Sequence, residues 1–218
     1  MSEQSSRPFT IAVLISGSGS NLQALLDDQT GYTVGLVLAD RAGAYGLQRA
    51  LAAQVPTVCL PLRRPKDRDT RLAWERQVAA AIDIFDPDLI VMAGWMRVMS
   101  ADFIERYARR IINQHPALLP DDSGATYRLA SGGTIPAIRG AHAVRDALRL
   151  GVAVSGCTVH WVTPEVDVGR GLARAEVPVL PTDDETALHE RIKREERRLI
   201  VEVVRQLAAE HQQGKTEN

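Results

Sequence analysis

Cysteine is scarce in this 218-residue chain: Cys59 and Cys157 stand far apart and in no metal-ligand spacing. A disulfide-built scaffold and a cysteine-rich metal module are thereby excluded, and free thiols in a reducing compartment are expected. Long apolar runs are missing as well. None approaches the ~20 residues that span a bilayer, and the polar stretch Met1 to Pro8 has no apolar targeting core. The expected location is the cytoplasm, with no membrane partner. An excess of either charge is also lacking, since 26 Lys and Arg face 27 Asp and Glu for a net charge of −1. No basic stripe breaks this balance, so nucleic acid is not an expected partner. What is present is ordinary for a globular protein, 45% apolar and 24% charged. The length suffices for one α/β domain that buries its core without staples.

Strand and helix signals alternate through the first two thirds. The nearly all-apolar run Phe9 to Ile15 reads as a strand buried on both faces. A Gly/Ser turn, a helix from Asn21 to Asp28, a strand over Thr33 to Ala39 and a helix over Gly46 to Ala53 follow. Pro56 to Leu60 reads as a short strand. In the next helix, Asp69 to Ile84, Trp74, Val78 and Ile82 recur every fourth residue and make one apolar face. Leu89 to Ala93 is a further strand, and Ser100 is placed to cap the helix behind it. Arg110 to Gln114 is a strand ending at His115-Pro116, and Ala141 to Leu150 a helix. Then the pattern changes. Val152 to Val162 and Leu172 to Val179 read as an antiparallel pair. Thr182 with Glu185 has capping-box spacing and opens a long helix ending near Ala209. The fold class is therefore α/β: a doubly wound, mostly parallel sheet with an antiparallel C-terminal strand pair and a long C-terminal helix. Residues 1–8 are expected as a disordered tail, 9–209 as a single domain and 210–218 as a polar, frayed tail.

Such sheets bind ligands beyond the strand ends, where strand order reverses. Four segments carry candidate chemistry. Ser16-Gly-Ser-Gly-Ser-Asn21 lies between the first strand and the first helix, where backbone amides and the helix dipole favour an anion. It is equally composed like an ordinary tight turn. It lacks the third glycine of a dinucleotide fingerprint and the Gly-Lys-Ser/Thr of a P-loop. In an extended strand Asn113 and His115 project to one side and Gln114 to the other, and Pro116 keeps His115 out of the helical region. A carboxamide beside an imidazole suits acyl transfer, one stabilising an oxyanion and the other moving protons. Read alone, the pair serves as well for local strand-end hydrogen bonds. Asp167, in the loop Pro164 to Arg170, would favour the imidazolium if it faced His115, yet an isolated loop Asp is ordinarily a turn residue. Glu196 lies along the stripe Leu188, Ile192, Leu199, Ile200, Val203. It either needs buried partners or reaches solvent at the stripe edge. His160 reads as a packed, hydrogen-bonded residue. A metal site of His115, His142 and Asp167 has no compact ligand spacing behind it, and no metal is expected.

The segments Ile15-Ser-Gly-Ser-Gly-Ser-Asn-Leu-Gln23, Ala93-Gly-Trp-Met-Arg-Val-Met-Ser100, Asn113-Gln-His-Pro-Ala-Leu-Leu-Pro120, Gly140-Ala-His-Ala-Val-Arg-Asp-Ala-Leu148 and Gly156-Cys-Thr-Val-His160 through Asp167-Val-Gly169 occur in order. Together they resemble the glycinamide ribonucleotide formyltransferase family over about residues 9 to 208. The resemblance implies transfer of a formyl group from the co-substrate 10-formyltetrahydrofolate to the amine of phosphoribosylglycinamide, in purine synthesis. It implies that Asn113, His115 and Asp167 are the catalytic trio. By the same resemblance, Gly19, Ser20 and Asn21 hold the substrate phosphate, and Lys193 and Glu196 line the ribonucleotide site. Arg71, the segment Met96, Arg97, Val98, Met99, Asn113, and the loop Thr163, Pro164, Glu165, Val166, Asp167 match folate-binding positions. A monomer and a homodimer both fit.

The chain departs from the family at three places. Residues 121–134 are inserted after Leu-Leu-Pro and are expected as a long loop that covers or blocks the site. Arg139 stands where the family has Pro, and Arg170-Gly171 replace the Pro and apolar residue after Asp-x-Gly. The rival readings are a methionyl-tRNA formyltransferase or formyl-folate hydrolase, and a non-catalytic folate- or nucleotide-binding paralogue. Against the methionyl-tRNA enzyme stands the lack of an expected basic C-terminal RNA-binding domain, and against the formyl-folate hydrolase the lack of an expected extra N-terminal regulatory domain.

Overall fold

Residues 7–63 and 67–216 are described by a computed structural model. Its parallel strands are β1 (Phe9–Ile15), β2 (Tyr32–Ala39), β3 (Thr57–Cys59), β4 (Leu89–Met92) and β5 (Ile111–His115). Between them run the helices α1 (Ser20–Asp28), α2 (Gly46–Ala52), α3 (Arg68–Phe85) and α4 (Ala101–Arg106). A short hairpin, β6 (Thr126–Arg128) with β7 (Thr134–Pro136), precedes α5 (Ala143–Leu150), β8 (Val154–Trp161), β9 (Gly171–Pro178) and α6 (Glu185–Thr216). The main sheet has the order β3-β2-β1-β4-β5-β8-β9. β8 runs antiparallel to β5, and β9 antiparallel to β8. The doubly wound sheet with its antiparallel end and long last helix is the expected class.

The period-2 side-chain alternation of β1 divides the core. Ile11, Val13 and Ile15 pack with the α1 and α6 face, against Leu22, Leu25, Ile192 and Ile200. Ala12 and Leu14 pack on the opposite face with Trp74, Val78 and Ile82 of α3 and Phe103 of α4. Strands that bury both faces need the all-apolar runs seen in the sequence. Side-chain caps also fall where local chemistry directs them. Asp67 Oδ1 accepts from Thr70 N at 2.7 Å to open α3, and Ser100 Oγ accepts from Phe103 N at 3.3 Å to open α4.

Three expectations are corrected. The cap of α6 is Asp184, whose Oδ1 accepts from Ala187 N at 2.7 Å, rather than Thr182. Among adjacent Thr, Asp and Asp, the neighbour Asp183 is held by Leu180 N and Arg191, which sets the turn one residue further on. The helix does not stop at Ala209 but runs to Thr216. Gln206 donates to Glu210 at 2.8 Å, and His211 packs on Phe9 with ring centroids 5.2 Å apart, so tertiary contact extends a polar segment. Residues 121–134 are not a structureless loop, because Thr126–Arg128 pairs antiparallel with Thr134–Pro136 around a glycine turn. The expected N-terminal tail falls largely on residues 1–6, outside the described residues. Arg7 is tied to Asp88 at 3.0 Å.

The strand order reverses between β1 and β4. The loops leaving β1, β4 and β5 therefore open onto one crevice, at the carboxyl ends of the strands.

Candidate active site

That crevice is a cleft of about 500 Å³. Its first wall is the turn after β1. Ser16 N donates to Gly94 O at 3.1 Å, and Met96 N donates to Ser16 Oγ at 2.9 Å, which binds the β1 and β4 loops together. The turn's carbonyls are used structurally: Gly17 O accepts from Gly46 N at 3.1 Å, and Ser18 O from Arg49 Nε at 2.9 Å. Gly19 sits at φ 69°, and a Cβ there would lie 2.6 Å from the Gly46 Cα. α1 begins without a side-chain cap. Its first N–H groups thus point at the cleft with the positive end of the dipole behind them.

The facing wall comes from α6. His189, Lys193 and Glu196 line the cleft, one turn after another. Glu196 is 6% exposed, so the inward alternative holds rather than the solvent edge. Burial pushes its carboxyl up to about 7, against a hydrogen bond from Asn21 and the charges of Lys193 and Arg197, which lower it. Burial, then Lys193, moves His189 below the usual imidazole range. Lys193 Nζ donates to Glu190 at 2.8 Å.

The floor is built by β5, β8 and the loop after β8. His115 Nε2 lies 2.7 Å from Ile138 O. A carbonyl only accepts, so Nε2 carries a hydrogen and Nδ1 is the nitrogen left to exchange a proton. Nδ1 is 3.5 Å from Asp167 Oδ2, and that oxygen also accepts from Gly140 N at 2.9 Å. Asn113 pairs across the antiparallel ladder with His160, and its Nδ2 is 3.2 Å from His160 Nε2. His160 Nδ1 must donate to Trp161 O at 2.9 Å, which leaves Nε2 as the acceptor from Asn113 in a neutral ring. Burial favours that neutral form, lowering the His160 titration below the usual range although Asp167 opposes it. His160 Nε2 is 3.7 Å from Asp167 Oδ1. A connected row, Asn113–His160–Asp167–His115, therefore crosses the floor. His160 is the packed, hydrogen-bonded residue that the sequence suggests, 2% exposed. Its place beside Asn113 follows from the β5–β8 register, which no local pattern announces.

The third wall is apolar. Met96, Val98 and Val166 are 52%, 55% and 43% exposed at the cleft, an unusual outlay of apolar surface. Arg97 lines it too, but its Nε is bound to Asp40 at 2.5 Å and its Nη2 to Leu62 O at 3.0 Å. Met99 is buried, and Thr163, Pro164 and Glu165 border the cleft. Arg71 is not brought there. It pairs with Glu75 at 3.2 Å on α3, and Glu75 in turn holds Ser100. His142 is exposed at the start of α5 and does not line the cleft. Among the described residues, no three His, Cys, Asp or Glu side chains gather as for a metal.

Gln114 points to the other face of β5 and is 6% exposed, with both amide atoms buried and unpaired. Gln114→Leu is expected to raise the stability of the ligand-free protein by about 1–3 kcal/mol, because the unmet polar atoms disappear. A lower denaturation midpoint in the variant would contradict this.

The inserted hairpin does not block the cleft. None of its residues lines it, and Ala130 N donates to Glu176 on β9 at 2.7 Å instead.

The chain is similar to known proteins over most of its length. A family model described as formyl transferase matches residues 9–204. A phosphoribosylglycinamide formyltransferase of Mycobacterium tuberculosis is 42% identical over 206 residues, covering 93% of this chain and 86% of the relative. That of Escherichia coli is 37% identical over 192 residues, covering 86% and 82%. The crystal structure of glycinamide ribonucleotide transformylase 1 from Symbiobacterium toebii matches with a TM-score of 0.80 at 38% identity, covering 93% of this chain and 88% of that one.

Proposed function

Since the chain belongs to the formyl transferase family and transfers a formyl group to phosphoribosylglycinamide in purine synthesis, we propose that Asn113, His115 and Asp167 carry the transfer. The formyl donor is 10-formyltetrahydrofolate. The observation that carries the assignment is the row Asn113–His160–Asp167–His115, set between an uncapped helix N-terminus and an apolar wall.

The two substrates divide the cleft by chemistry. The phosphate goes to the N–H groups of Gly19, Ser20 and Asn21, with Lys193 as counter-charge. Glu196 accepts from the ribose hydroxyls. The flat folate ring meets Met96, Val98 and Val166, while Thr163 to Asp167 and the 96–99 backbone supply polar contacts. Arg71, held on α3, has no part in this reading.

Asn113 Nδ2 and a protonated His115 Nδ1 face the formyl oxygen. The amine nitrogen attacks the formyl carbon, a C–N bond forms, and the carbonyl electrons move to the oxygen. The two donors stabilise that oxyanion. The oxyanion then collapses, the bond from carbon to the folate nitrogen breaks, and the proton lost by the amine reaches the departing nitrogen through His115. Asp167, 3.5 Å from Nδ1, holds the imidazole in orientation. His160 fixes the Asn113 carboxamide. No metal takes part in this reading. The free thiols, Cys59 exposed and Cys157 buried, suit the cytoplasm as its location.

The test is transfer from 10-formyl-5,8-dideazafolate. Deformylation that requires the ribonucleotide supports the proposal. Formate release without an amine acceptor would favour a hydrolase, and binding without turnover a non-catalytic paralogue. The hairpin seated on β9 speaks against the last. Gly19→Ala tests the phosphate turn, since the left-handed conformation costs a non-glycine residue roughly 1–2 kcal/mol and its Cβ would strike Gly46. The expected result is a higher KM for the ribonucleotide with the KM for folate unchanged. Equal KM values in variant and parent would remove the phosphate from this turn.

A further inference from the structure

The segment 138–140 grips both partners of the proposed catalytic pair. Ile138 O accepts from His115, Gly140 N donates to the Asp167 carboxylate, and Arg139 Nε donates to the Asp167 backbone carbonyl at 3.1 Å. The Arg139 guanidinium extends further. Its Nη2 donates to Asp122 O at 3.1 Å and to Gly124 O at 2.9 Å. One planar cation thus ties the Asp167 loop to the entry of the inserted hairpin, using the fork geometry that a lysine lacks.

That hairpin is itself braced. Asp121 Oδ1 accepts from Gly171 N at 2.8 Å and from Arg174 Nη2 at 2.5 Å. The Arg174 guanidinium lies 5.7 Å from the Tyr127 ring centre, and Ala130 N is bound to Glu176. Arg174 and Glu176 belong to β9. The brace therefore runs from the main sheet through the hairpin and Arg139 to Asp167. Asp167 has need of it, because its φ is 55°, a region that non-glycine residues rarely adopt.

We propose that Arg139, braced by the inserted hairpin, is a positioning residue that holds Asp167 against His115. It binds neutral backbone carbonyls, so it acts by fixing the loop rather than by lending charge to the carboxylate. The inference rests on the reading of His115 and Asp167 as the catalytic pair.

The experiment compares Arg139→Ala and Arg139→Lys with the parent enzyme, by steady-state kinetics and by the ring-nitrogen NMR shifts of His115 at fixed pH in the ligand-free protein. Misplacing a catalytic group should lower kcat by ~10–10²-fold with little change in either KM, and the His115 ring signals should move. The lysine variant, able to reach fewer carbonyls, should fall between alanine and parent. If the alanine variant does not fold, the lysine variant alone decides. Parent-like kcat and unmoved ring signals in a folded variant would overturn the proposal. So would a fall in kcat that leaves the ring signals unmoved, since that would show loss of folded enzyme rather than of positioning. Near-normal turnover in His115→Ala would instead remove the catalytic reading beneath it, so the two failures are distinguishable.

Discussion

His115→Ala is expected to lower kcat by ~10²–10⁴-fold, the range for loss of a proton-transfer group. KM for either substrate should change little, because the imidazole acts on charge that exists only in the transition state. Asn113→Ala should raise the barrier by ~2.7–4 kcal/mol, the usual loss when one oxyanion donor is removed. The two should not add, because both donors serve the same oxygen, and the double variant should be little slower than the worse single one. The structure also defines a control. His115 Nε2 satisfies the buried Ile138 carbonyl, so the alanine variant orphans an acceptor at about 1–3 kcal/mol of stability. Melting curves at the assay temperature separate that loss from the kinetic one. Turnover near that of the parent in folded His115→Ala would dismiss the imidazole from the chemistry.

How much of this was legible in the sequence depends on the range of the force concerned. β1 and β4 could be read because strands covered on both faces must be apolar throughout, a condition met by Phe9 to Ile15 and Leu89 to Met92 locally. Ser100 could be read as a cap because its hydroxyl reaches only three residues on. The Thr182 cap failed because three neighbouring side chains compete for one turn. Arg191, eight residues beyond Asp183, settles the competition. The pairing of Asn113 with His160 depends on the register of strands 47 residues apart. A one-residue slip would have turned His160 to the opposite face, away from Asn113. The hairpin went unread because strands of three residues carry almost no periodic signal. Arg139 was visible only as a departure from a family pattern. Its three carbonyl partners lie on segments that only the fold brings together.

Glu196→Gln should have opposite effects on stability and on binding, each set by pH. The native carboxyl is raised to about 7 from an ordinary 4.5, chiefly by burial. The folded protein therefore holds this proton more tightly than the unfolded chain. As pH rises through 4.5 towards 7, the unfolded chain ionises first and stability is lost, reaching a deficit of about 3 kcal/mol above 7. Glutamine never ionises, so the ligand-free variant should be more stable than the parent at pH 8 and indistinguishable near pH 4. Denaturant unfolding at the two pH values measures this. Binding runs the other way. If the ionised carboxylate accepts from the ribose hydroxyls, the ribonucleotide must draw the proton off, and parent affinity should weaken as pH falls below 7. The variant should bind more weakly, since hydrogen bonds to a charged group contribute about 1.5–3 kcal/mol. It should also lose this part of the pH dependence, leaving that of the other titrating groups, among them His189 on the same wall and the phosphate ester, whose second ionisation lies near pH 6. A variant with parent-like affinity at pH 8 would place the ribose elsewhere. Equal stability of parent and variant at that pH would show that the buried carboxyl has found more compensation than Asn21, Lys193 and Arg197 supply.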